Sequence, residues 1–307
     1  TICAPCPGKY NSKVENMSTI YVFPGQGAQI VGMGAELYKN NSAARAVFDE
    51  VDDALGEKLS NIIFNGSLEE LTLTKNVQPA IMATSVAMFR ASGLPLPEYV
   101  AGHSLGEYTA LCVAGAISLA DTARLLRARG NAMQKSVPVG MGLTSVVLGL
   151  DADTVRDVCE QSDCDMANDN CPGQVVISGL KEPVEMASER LKELGARRVM
   201  PLNLSAPVHC HAQEPATEIM RKEFAKVKIE TPGSKWISNK TCAFIENPDE
   251  IKEALIYQLT HGVRWRESVL EMANLGIDKA IEIGPGNVLS GLISRTTDKI
   301  TTEKLEI

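Results

Sequence analysis

Short runs of β-branched and aromatic residues alternate along the chain with stretches whose apolar positions recur every three or four residues. Thr19–Phe23 reads as a buried strand. Helical spacing follows over Ser42–Ala54 and Lys75–Ala91. In the second, Val77, Ala80, Ile81, Thr84, Ala87 and Met88 share one face, as a core-facing stripe requires. Ser92–Pro97 is a Gly/Pro linker into a strand-like stretch, Glu98–Ala101. Small apolar residues with helical spacing run from Leu105 to Ala116, and Ser118 caps the next helix with Asp121 three residues on. That helix carries Arg124, Arg127 and Arg129. Such arginines ordinarily form a solvated face, although a helix starting this close to the Gly102–Gly106 turn can bring one into a cleft.

The pattern changes at Pro138–Gly142. From there the reading is strand (Leu143–Leu148), helix (Ala152–Gln161), strand (Asp165–Ala167), strand (Gln174–Ser178), helix (Glu182–Leu194), strand (Arg197–Pro201). This β-α-β-β-α-β order is that of a ferredoxin-like unit, so residues 140–208 are expected to form a small inserted domain. A helix over Pro215–Phe224, a strand over Lys235–Ser238, helices from Glu250 and Val263, and a strand over Lys279–Ile283 then resume the earlier alternation. Residues 17–139 and 209–307 are thus expected to form one large α/β domain, with a mostly parallel sheet covered on both faces.

Composition narrows the classes of partner. The chain has 307 residues, 44% hydrophobic and 22% charged, enough to bury a large core. A net charge of −8 disfavours a nucleic acid or an anionic membrane as partner. No stretch approaches the roughly 20 apolar residues of a membrane span. The 8 cysteines are scattered, as free thiols in a reducing compartment are, and a cytoplasmic location is expected. Cys3 and Cys6 have the gap of a metal motif but no second pair, so no metal is expected. Met17 directly precedes the first strand, and residues 1–16 read as a tag or upstream extension.

Candidate chemistry centres on Gly102-His103-Ser104-Leu105-Gly106. G-x-S-x-G between strand and helix is a nucleophile elbow, which presents the serine oxygen at the mouth of a cleft and before a helix N-terminus. The first strand runs into Pro24-Gly25-Gln26-Gly27-Ala28-Gln29. These glycines do not fit G-x-G-x-x-G, because Ile30 stands at the third position, and no P-loop Lys-Ser/Thr follows. They do let a backbone N–H face a cleft, as half of an oxyanion hole does. A serine nucleophile also needs a base. Of four histidines, His103 adjoins the serine and is read as shaping the turn or hydrogen-bonding in the cleft, and His261 lies in a loop. His209 and His211, in the hinge after the insert, are equal candidates by position.

The ordered set Pro24–Gln29, Gly102–Tyr108, Arg129-Gly130, Asn168–Val176, Pro207–Cys210, Gln258-Leu259 and Glu282–Gly286 resembles the malonyl-CoA:acyl-carrier-protein transacylases of type II fatty-acid synthesis, from Met17 to about Arg295. The resemblance implies an α/β-hydrolase-like large domain with a ferredoxin-like insert. It implies Ser104 as nucleophile and His209 as base, with the Gln26 and Leu105 N–H groups as oxyanion hole. Arg129 is implied to pair with the malonyl carboxylate, and the Gln258 carbonyl to orient the histidine. Arg129, Gln258 and His103 are thus the expected substrate-binding residues. The partners implied are malonyl-CoA and acyl-carrier protein, as substrates rather than cofactors, and no cofactor is expected. Lys192, Arg197 and Arg198 offer a basic patch for an acidic carrier. Val208 departs from the usual Ser or Phe, and His211-Ala212-Gln213 from the usual small–apolar–Met. Both bear on malonyl against methylmalonyl. A trans-acting polyketide acyltransferase, an acyl-CoA thioesterase or esterase, and a non-catalytic carrier-docking module are the alternatives.

Overall fold

The computed structural model describes residues 18–307, so the leader, with Cys3 and Cys6, lies outside the described residues. Nine strands are described: β1 (Thr19–Phe23), β2 (Tyr99–Gly102), β3 (Gly142–Leu148), β4 (Asp165–Cys171), β5 (Gln174–Leu180), β6 (Arg198–Pro201), β7 (Lys235–Ile237), β8 (Lys279–Glu282) and β9 (Thr301–Lys304). Five form a sheet in the order β7-β2-β1-β8-β9, with every pairing parallel. The other four form an antiparallel sheet in the order β4-β5-β3-β6.

Burial explains why β1 is apolar without alternation. Tyr21 and Phe23 face one way, into a core built on the helices Ser42–Leu55, Thr74–Ser92 and Leu119–Ser136. Ile20 and Val22 face the other, against Trp265, Val269 and Leu289. A parallel strand covered on both faces has no solvent side to mark with polar residues. The helix Thr74–Ser92 goes further than a stripe: Val77, Ala80, Ile81, Thr84 and Ala87 are buried, but so are most of their neighbours, Gln78 included. The second sheet packs Val147, Val175 and Ile177 against the helices Ala152–Ser162 and Lys181–Glu193. Alternation along β3 and β5 then turns Thr144, Val146, Gln174 and Val176 toward a cleft shared with the first sheet.

The expected elements are all present, with ends shifted by a residue or so in most cases. Strand β4 is the largest departure, continuing past Ala167 to Cys171 through Asn168, Asp169 and Asn170. Polar residues extend there because the strand is held by tertiary partners. Asp169 N–H donates to the Val263 carbonyl and Val263 N–H to the Ala167 carbonyl, both at 2.9 Å, and the Arg266 guanidinium pairs with the Asp169 carboxylate at 2.7 Å. The short helices Ala35–Asn40, Leu59–Asn65 and Leu68–Thr72, the helix Val288–Thr296, and the edge strand β9 carried too few periodic positions to be read. No helix among the described residues is long and apolar enough to cross a membrane.

The elbow is where backbone meets backbone. A Cβ on Gly102 would strike the Gly106 carbonyl, and one on Gly106 would strike the Phe23 carbonyl. Main chain cannot yield as a flexible side chain can, so β1, β2 and the following helix sit this close only through glycine. Gly102→Ala is expected to cost about 3 kcal/mol or more in denaturant unfolding. Gly115→Ala, at φ +76° with open space around it, should cost only the left-handed penalty of about 1–2 kcal/mol.

Candidate active site

The cleft, of about 510 Å³, opens at the carboxyl ends of the parallel strands and is roofed by the second sheet. Open parallel sheets characteristically bind ligands at this end. Gln26 follows β1, Ser104 follows β2, and Asn239 follows β7. From the hinge after β6 comes His209.

Ser104 and His209 are brought together from 105 positions apart, with Ser104 Oγ 2.7 Å from His209 Nε2. His209 Nδ1 lies 2.6 Å from the main-chain oxygen of Gln258. A carbonyl only accepts, so Nδ1 carries the proton and Nε2 is left to accept from the serine hydroxyl. Burial pushes the His209 pKa down to about 3, the neighbouring Arg129 charge acts the same way, and the Gln258 carbonyl opposes both. A neutral imidazole is what a general base requires. Both residues hold left-handed backbone, φ 55° at Ser104 and 53° at His209. Non-glycine residues rarely accept this conformation, and it clusters where function fixes the geometry. At His209 the flanking chain is pinned, since Val208 N–H donates to Ser178 Oγ at 2.9 Å and Gln213 Nε2 donates to the Pro207 carbonyl at 2.7 Å.

Arg129 lies 1% exposed on the helix that follows the elbow. Its NH1 donates to Gln78 Oε1 and its NH2 to Gln258 Oε1, both at 2.8 Å, and NH2 also lies 3.4 Å from Ser104 Oγ. The guanidinium carbon sits 5.7 Å over the Tyr108 ring. Among the described residues no carboxylate forms an ion pair with it. Burial lowers its pKa, yet a guanidinium stays cationic throughout the physiological range. A buried cation held by two neutral amides and open beside a nucleophile is poised for an anionic group. By contrast, Arg124 pairs with Asp121 and Arg127 with Glu57, on the outside of the same helix.

The remaining expected residues sit at varying distances from the Ser104–His209 pair. The N–H groups of Gln26 and Leu105 have no acceptor among the hydrogen bonds of the described residues; Gln26 lines the same cleft as Ser104, and Leu105 is the residue that follows it. Ser104 N–H, however, is taken by Asn239 Oδ1 at 3.0 Å. His103 Nε2 bonds Asn170 Oδ1 at 2.9 Å and its ring lies 5.6 Å from Trp265, so it shapes one wall of the cleft. Burial lowers its pKa, and the Asn170 bond opposes the shift. His211 is excluded from the site: it is exposed and its Nδ1 contacts Asp165 at 2.6 Å. Val208 lines the cleft beside the base, and Gln213 is buried behind it.

Four participants were not anticipated: Gln78, Asn170, Asn239 and Glu107. Gln78 shares the helix Thr74–Ser92 with a second buried amide, Asn76, so its residue type alone does not mark it. Glu107 sits one residue beyond the elbow motif. It is fully buried, and burial pushes its pKa up to about 8 against the pull of the Asn239 and Gln258 N–H groups and the Arg129 charge. Asn239 and Asn170 carry no signal that spacing reveals.

A family model for the acyl transferase domain matches residues 20–306. The malonyl CoA-acyl carrier protein transacylase of Bacillus subtilis (strain 168) is 44% identical over 290 residues, covering 92% of this chain and 91% of that protein. An acyl-carrier-protein-S-malonyltransferase structure from Bartonella henselae superposes with TM-score 0.92 at 45% identity, covering 95% of this chain and 96% of the other. A malonyl-transacylase solved in complex with a type II PKS acyl-carrier protein gives TM-score 0.90 at 37% identity, covering 94% of this chain and 95% of the other. The chain belongs to the malonyl CoA-acyl carrier protein transacylases, a group within the acyl transferase domain family.

Proposed function

We propose that this chain transfers malonyl from malonyl-CoA to the phosphopantetheine thiol of an acyl-carrier protein, through an acyl-enzyme on Ser104, for fatty-acid synthesis. The observation that carries the reading is Arg129, a buried guanidinium without an anionic partner, 3.4 Å from the oxygen of a Ser–His pair. A thioesterase acting on uncharged acyl groups would leave that cation without a task.

In the first half-reaction His209 Nε2 takes the Ser104 proton as Oγ attacks the thioester carbonyl. The oxyanion that forms is received by the Gln26 and Leu105 N–H groups, each such donor being worth a few kcal/mol. Collapse breaks the C–S bond, and the imidazolium returns its proton to the departing CoA sulfur. The second half-reaction is the reverse, with the carrier thiol as nucleophile and Ser104 as leaving group. Throughout, the malonyl carboxylate pairs with Arg129, whose planar fork grips two oxygens at once. The steps as written draw on no metal, and the phosphopantetheine they use belongs to the carrier protein.

The same proposal covers architecture and setting. Strand order β4-β5-β3-β6 within a β-α-β-β-α-β chain supports a ferredoxin-like inserted domain over residues 140–208. The parallel sheet with its elbow after β2 supports an α/β-hydrolase-like domain over 17–139 and 209–307. Arg197, just before β6, and Arg198, its first residue, stand exposed and are the proposed contacts for an acidic carrier, whereas Lys192 is engaged by Glu189 at 2.7 Å. A cytoplasmic location belongs to this reading as well.

Incubation with labelled malonyl-CoA and holo carrier protein is expected to move label to the carrier with wild type and not with Ser104→Ala. Retained label transfer by the alanine variant would remove Ser104 from the mechanism. The pH dependence follows from His209. Its folded pKa of about 3 lies below the usual 6.5, so the base stays neutral as pH falls through the range where an ordinary histidine protonates. Acyl-enzyme formation should therefore show no decline centred near pH 6.5, and a decline there would contradict this. Because the unfolded chain binds that proton and the folded one does not, stability should fall as pH drops below about 6.5.

A further inference from the structure

The Glu107 side chain is hydrogen-bonded to neither the serine nor the base, yet it is fully buried and bound both to the segment after β7 and to the residue that ends the helix Pro248–Tyr257. Its Oε1 accepts the main-chain N–H of Asn239 at 2.6 Å, and its Oε2 accepts from Gln258 Nε2. Each of these partners then reaches the elbow. Asn239 Oδ1 accepts from Ser104 N–H at 3.0 Å, and its Nδ2 donates to the Gly102 carbonyl at 2.8 Å. Gln258 Nε2 also donates to the Ser104 carbonyl at 3.0 Å, while its Oε1 accepts from Arg129 at 2.8 Å.

A primary amide has one donor end and one acceptor end, and nothing in its shape says which way round it lies. At Gln258 the question matters, because its oxygen must face Arg129 and its nitrogen must face the elbow. In its ionised form Glu107 has no proton to give, so it and the Ser104 carbonyl both accept on one side, and the amide has only one arrangement that satisfies every group. Reversal would set its NH2 against the guanidinium and its oxygen against two acceptors. The main-chain carbonyl of the same residue orients His209.

We propose that Glu107 is a positioning residue for acyl transfer, acting through Gln258: it fixes the orientation of that side-chain amide and thereby holds Arg129 in place for the malonyl carboxylate. This rests on the transacylase reading above. Glutamine at position 107 would offer one donor and one acceptor to two N–H groups, so the arrangement would lose its single solution. The carboxylate of aspartate would fall one methylene short of Gln258.

The test is a double-mutant cycle on malonyl transfer to holo carrier protein, joining Glu107→Gln to Gln258→Met, which removes the amide and keeps the main-chain carbonyl. Alone, Glu107→Gln should lower malonyl-CoA kcat/KM by roughly a hundredfold, the usual cost of a misplaced active-site group. It should lower acetyl-CoA kcat/KM much less, because acetyl does not use Arg129. In the Gln258→Met background the same change should cost less than about threefold in malonyl transfer. Equal cost in both backgrounds, or equal loss with malonyl and acetyl, would overturn the proposal and assign Glu107 to structure alone. If Glu107→Gln does not fold, Glu107→Asp is read in the same cycle with the same two outcomes. Wild-type malonyl transfer, measured alongside, reports separately on the transacylase reading.

Discussion

A cation buried without an ion-pair partner is the constraint around which this molecule is arranged. Arg129 is as enclosed as any core leucine, and its charge is met by amide oxygens from Gln78 and Gln258 and by the face of Tyr108. Water would solvate it far better, so the fold must supply a rigid set of dipoles and leave the last position for a ligand. That arrangement explains selection and catalysis together: the group that best relieves the cation is a carboxylate, and one bound there lies alongside Ser104. It also bears on the base, because the same positive charge helps keep His209 neutral.

Convergence comes from topology. Four segments, after β1, β2, β7 and the hinge beyond β6, end at one edge of the parallel sheet, and each contributes one group to the reaction or its support. Close approach of β1, β2 and the elbow helix, possible only at Gly102 and Gly106, sets the nucleophile against the Gly-rich loop. Left-handed backbone at both Ser104 and His209 is the local strain the surrounding bonds must hold. Val208, Gln213 and Ser178 do this for the histidine, and Asn239 does it for the serine.

Much of this was readable from residues alone, for identifiable reasons. Strand and helix periodicity exposed both sheets, because each strand is buried on one or two faces in a way that leaves a pattern. The break at Pro138–Gly142 marked the second sheet. Spacing also found the elbow, but it left His209 and His211 level, because two histidines two residues apart in a hinge differ only in where the folded backbone points them. Resemblance separated them, and in the structure one contacts Ser104 and the other Asp165. The polar stretch Asn168–Asn170 was not legible as strand, since its pairing is held by Val263 and Arg266 from far along the chain. Gln78, Asn239 and Glu107 were missed for the same cause. Their work is done through hydrogen bonds to residues 50 to 150 positions away, and local pattern carries no trace of such partners.

The central claim is that Arg129 reads the charge of the acyl group. Its most direct measurement is the ratio of kcat/KM for malonyl-CoA over acetyl-CoA in acyl-enzyme formation, in wild type and in Arg129→Ala. The account predicts that malonyl loading falls by about two to three powers of ten while acetyl loading holds or rises, so that the ratio collapses. A ratio unchanged by the substitution would contradict it.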